Sequence, residues 1–90
     1  MMKRFREGLA THVFTTKYVL REGSPIVYVS HDADGDWQFL GSEPDLKEED
    51  ALIISLEEII AHDPTILDIA DLPLGRVAIR KGRNAQWKVE

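Results

Sequence analysis

Four carboxylates, Asp32, Asp34, Asp36 and Glu43, have the most suggestive spacing in this chain. Alternate acids followed by a later glutamate reproduce the first, third, fifth and twelfth positions of an EF-hand calcium loop, where several oxygens converge on the ion. The sixth position of such a loop needs glycine for a sharp turn. Here it is Trp37, and Gly35 comes two residues early. The flanking residues read as strands, so the pattern favours a plain hairpin turn with hydrated aspartates over a cation site.

The other reactive groupings are weaker. His12, His31 and His62 match no zinc-ligand spacing, and there is no cysteine to help them. Ser24, Ser30, Ser42 and Ser55 do not sit in a Gly-x-Ser-x-Gly elbow. Glu48, Glu49 and Asp50 are adjacent acids. Acid–base catalysis needs one carboxyl of a pair desolvated so that its pKa moves, whereas a run of charges reads as a solvated face. Gly41-Ser42 and Gly82-Arg83 make no phosphate-cradling loop. Trp37, Phe39 and Trp87 could form an aromatic ligand platform, but a short chain needs large residues to fill its core, and core is the expected role. No catalytic, cofactor-binding or metal-binding residue is therefore expected, and a non-enzymatic role is favoured.

The elements that would carry these residues follow from local pattern. His12–Leu20 is rich in Val, Thr, Phe and Tyr and is predicted to be a strand. Ile26–Ser30 and Asp36–Leu40 are predicted as a second and third strand. Asp34-Gly35 between them is a hairpin signal. Ala51–Ile54 reads as a short buried strand. Ser55 with Glu58 three residues on forms a capping box that opens a helix over Leu56–His62. Asp63-Pro64 stops that helix and starts a second short one, with Ile66, Leu67, Ile69 and Ala70 as its apolar stripe. Arg76–Arg80 and Gln86–Val89 read as strands around a turn at Gly82-Arg83-Asn84. The sum is an α+β domain over residues 11–90, preceded by a loose lead-in over 1–10. A mostly antiparallel sheet of about five strands carries two short consecutive helices.

Charge is segregated along the 90 residues. Residues 31–72 hold thirteen of the sixteen acids and one lysine, while both ends are basic, for a net charge of −5. That balance argues against nucleic acid, because neutralising phosphates needs clustered Lys and Arg. It also offers an acidic face, Asp32, Asp34, Asp36, Glu43, Glu48, Glu49 and Asp50, to steer a basic protein partner. The apolar runs are too short to span a bilayer, and no apolar run follows the basic start as an export signal requires. With no cysteines, a cytoplasmic setting is expected.

Several pieces taken together carry a family likeness. They are Tyr18-Val19-Leu20, Gly23-Ser24-Pro25-Ile26, Gly35-Asp36-Trp37-Gln38-Phe39, Gly41, Glu43, Ser55-Leu56-Glu57-Glu58-Ile59, Asp63-Pro64 and Leu72-Pro73-Leu74-Gly75. Over roughly residues 12–87 the chain resembles a group of small bacterial domains of unknown function, some relatives of which are thought to be polymorphic-toxin immunity proteins. The resemblance implies a compact α+β fold and a binding role, and it carries no catalytic residue across. The expected function is protein binding, immunity-type in one version, through the acidic face or an open sheet edge. The alternatives are a small enzyme or ligand-binding domain using loop carboxylates, and a self-associating structural protein such as a homodimer.

Overall fold

The computed structural model describes residues 3–90. β1 spans His12–Thr16 and stops four residues short of the predicted strand. α1, Lys17–Glu22, takes over because both of its ends are capped locally. The Thr16 hydroxyl accepts from the Val19 N–H at 3.2 Å. Gly23, at φ 73°, adopts the left-handed conformation that closes a helix and gives its N–H to the Tyr18 carbonyl. Two caps outweigh the strand preference of Tyr18 and Val19.

β2 (Tyr28–His31) and β3 (Trp37–Leu40) form the expected hairpin, with Gly35 at φ 94° in its turn. β4 (Ala51–Ser55) follows a 3-10 turn at Glu48–Asp50 and runs straight into α2 (Leu56–His62). The Ser55 hydroxyl caps α2 by accepting from the Glu58 N–H at 3.1 Å. The predicted second helix is a 3-10 helix, Pro64–Ile69, capped by Asp63. β5 (Arg76–Ile79) and β6 (Lys88–Val89) complete the set.

The sheet has six strands in the order β4-β1-β3-β2-β5-β6, with β1–β3 the parallel pair and the other pairs antiparallel. The fold is therefore the expected α+β class. Register and the two-residue alternation of strands put Val13, Thr15, Val29, His31, Trp37, Phe39 and Ala78 on one face. That face packs on Val19, Leu56, Ile59, Ile66 and Ile69 to make the core. The lead-in contributes as well. Phe5 is buried and meets Trp37 edge-to-face, with ring centroids 4.9 Å apart. No helix among the described residues is long and apolar enough to cross a membrane.

Candidate functional site

The seven acids do not form one face. His31 pairs with Trp37, so Asp32, Asp34 and Asp36 lie beyond one end of the sheet. Thr16 pairs with Ala51 and Tyr28 with Leu40, so Glu43, Glu48, Glu49 and Asp50 leave from the opposite end. Continuity in sequence is broken because β3, between the two groups, crosses the sheet.

Several of these acids are occupied locally. The Asp32 carboxylate accepts from the backbone N–H groups of Asp34 and Asp36 at 2.9 and 3.0 Å, which shapes the hairpin turn. Glu43 accepts from the Ser24 hydroxyl and folds over Gly41, where a Cβ would stand 2.5 Å from its Oε1. Asp50 is buried. It accepts from the Lys47 N–H at 3.0 Å and pairs with Lys17 Nζ at 3.1 Å. The Lys47 hydrogen bond, then Lys17, hold its carboxyl below the usual aspartate range, and Asp50 in turn raises Lys17 above the usual lysine value. Glu48 and Glu49 stand in solvent.

The histidines stay apart as well. Among the described residues no three His, Asp or Glu side chains gather where they could hold a metal. Ser55 is spent as a helix cap and Ser24 on Glu43. Trp37 and Phe39 are buried and stacked at 5.9 Å, so the pair is core. Trp87 is half-buried, with the Arg80 guanidinium 4.1 Å above its ring.

Two further features were not located by the sequence. The first is a cleft of about 690 Å³ between the lead-in and the segment after the 3-10 helix, lined in part by Arg4, Arg6, Glu7, His31, Asp71 and Leu74. His31 stacks on Trp37 at 3.9 Å. A carbonyl oxygen can only accept, so the 2.7 Å contact with Leu72 O fixes the proton on His31 Nδ1. Among the described residues His31 Nε2 has no hydrogen-bond partner, and it stands 3.6 Å from Glu7 Oε2. The same oxygen accepts from Trp37 Nε1 at 3.0 Å.

The second feature is the uncovered side of the sheet and its β4 edge. Phe14, Tyr28, Ile53, Val77 and Ile79 point away from the helices; Ile53 is 61% and Tyr28 37% exposed, while Phe14, Val77 and Ile79 are half-buried. The expectation of a buried strand at Ala51–Ile54 is corrected here. β4 is the last strand of the sheet, so among the described residues no strand pairs with its outer edge; Ala51 and Ile53 are exposed, and Leu52 and Ile54 only half-buried. A short apolar run reads the same whether it is central or marginal. The pairs Glu48-Glu49 and Glu57-Glu58 on either side were the available clue, since flanking charges guard exposed strands.

No known protein family, curated protein or solved structure matches the chain.

Proposed function

We propose that this is a cytoplasmic protein-binding module whose contact surface is the β4 edge together with the uncovered side of the sheet. One observation carries the reading: Ile53, a large aliphatic residue, is 61% exposed on a marginal strand. Grouped apolar side chains rimmed by charge mark interaction surfaces. The net charge of −5 favours a basic partner, and the lack of cysteine suits a reducing compartment. Toxin immunity is the specific version that the family resemblance supports.

The test is capture of partners from the native host with the wild-type chain and with Ile53→Asp, at low and high salt. A protein retained by the wild type, released by salt and not captured by the variant is the expected outcome. No partner under either condition, or equal capture by both chains, would refute the reading.

A second reading, small-ligand binding, is favoured by the unbonded His31 Nε2 beside Glu7 at the cleft. A thermal-shift screen of small carboxylates and phosphates on wild type and His31→Gln tests it. Stabilisation of the wild type alone is expected on that reading.

A further inference from the structure

We infer that β4 accepts an added strand, and that the segment it accepts is an extended peptide with alternating apolar residues and Lys or Arg at both ends. This rests on the protein-binding reading and names its mode and its partner's chemistry.

The ladder phase shows which backbone groups are free. Leu56 N–H bonds to Thr11 O at 2.8 Å, so Thr11 and Leu56 form a hydrogen-bonded pair in the β1–β4 register. Such pairs alternate along an antiparallel ladder. Val13 with Ile54 and Thr15 with Leu52 are therefore the next hydrogen-bonded pairs. Ala51, Ile53 and Ser55 turn their main-chain groups outward. The Ala51 N–H is used by Glu48 O, and the Ser55 carbonyl lies at the helix cap. The Ile53 N–H and C=O, the Ser55 N–H and the Ala51 C=O remain for an incoming strand. Strand addition to an open edge draws its affinity from such main-chain bonds. β4 has no proline, bulge or charged side chain to block it.

The flanking acids choose the occupant. Exposed Glu48 and Glu49 precede the strand, and exposed Glu57 and Glu58 follow it. Pairing of two copies around a twofold axis at Ile53 would bring Glu49 toward the other copy's Glu57, and Glu48 toward its Glu58. Like charges brought opposite each other are destabilising, so the edge disfavours a second copy in that register. A segment with cations at both ends meets the acids in either strand direction.

The probe is a synthetic peptide, Lys-Lys-Val-Thr-Val-Thr-Val-Lys-Lys, with a Glu-flanked counterpart as control. Binding is followed by amide shifts and hydrogen exchange on the full chain. The lysine peptide is expected to shift and protect the Ile53 and Ser55 amides and to weaken as salt rises, while the glutamate peptide does not bind. Ile53→Pro removes an N–H that β1 does not use, as a marginal strand tolerates. It should weaken binding by about tenfold or more with melting little changed. If that variant fails to fold, Ile53→Lys, which sets a cation against the lysine peptide, must give the same loss. Absence of binding, equal binding of both peptides, or binding without change at Ile53 and Ser55 overturns the inference. The protein-binding reading would still stand or fall on the Ile53→Asp capture, which uses no peptide.

Discussion

Arg80 Nη2 donates to Asp63 Oδ2 at 3.0 Å, and the two side chains are only 1% and 3% exposed. The rest of the guanidinium is also satisfied: Nε donates to Ile26 O at 2.8 Å, and Nη1 to Thr65 Oγ1 and Arg83 O. Burial pulls Arg80 below the usual guanidinium value, while the Asp63 charge opposes that shift. The pair ties β5 to the junction of α2 with the 3-10 helix.

Removing one member of such a pair leaves an uncompensated buried charge. Asp63→Ala should destabilise the domain by about 3–5 kcal/mol, and each kcal/mol lowers the melting temperature of a small domain by about 4–8 °C. Urea unfolding of the variant measures it. A loss well under about 1 kcal/mol would show that Asp63 does little beyond capping.

The Lys17–Asp50 pair predicts how stability depends on pH. The Asp50 carboxyl is lowered from 3.8, so below that value the unfolded chain binds more protons than the folded one. Its contribution is present above the ordinary aspartate pKa and is lost as pH falls through the folded one. Lys17 is raised from 10.5, so its contribution is full below that value and is lost as pH rises through the raised pKa. Asp50→Asn should flatten the acid limb of the stability curve and the far-alkaline limb together. Melting temperature against pH for both chains checks this; a wild-type acid limb left intact in Asp50→Asn would remove Asp50 as its source.

The parts of the fold that could be read in advance are those fixed by local chemistry. Asp34-Gly35 gave the hairpin, and Ser55 and Asp63-Pro64 gave the helix boundaries. α1 was misread as strand because its residues have strand preference and its signals, Thr16 and Gly23, lie at its ends. The acidic face failed for a topological reason. Closeness in sequence says nothing about which end of a sheet a loop leaves from, and β3 separates the two acid groups. Phe5 and Glu7 were invisible because nothing periodic surrounds them. Only the folded chain brings Phe5 to Trp37, and Glu7 to Trp37 and His31, 30 and 24 residues beyond Glu7.

That contact supplies the last prediction. Glu7 Oε2 serves Trp37 Nε1 at 3.0 Å and faces His31 Nε2 at 3.6 Å. Glu7→Ala strips the indole of its acceptor and should cost about 1–3 kcal/mol, the penalty for a polar group left unpaired. Glu7→Gln keeps an amide oxygen for the indole but removes the charge facing the imidazole. If the indole bond dominates, Glu7→Gln retains most of the stability. If the charge facing His31 dominates, Glu7→Gln falls as far as Glu7→Ala. Unfolding curves for the three chains separate the two contributions. Equal stability of all three would mean that Glu7 adds nothing to what the other lead-in contacts supply, among them the burial of Phe5 against Trp37.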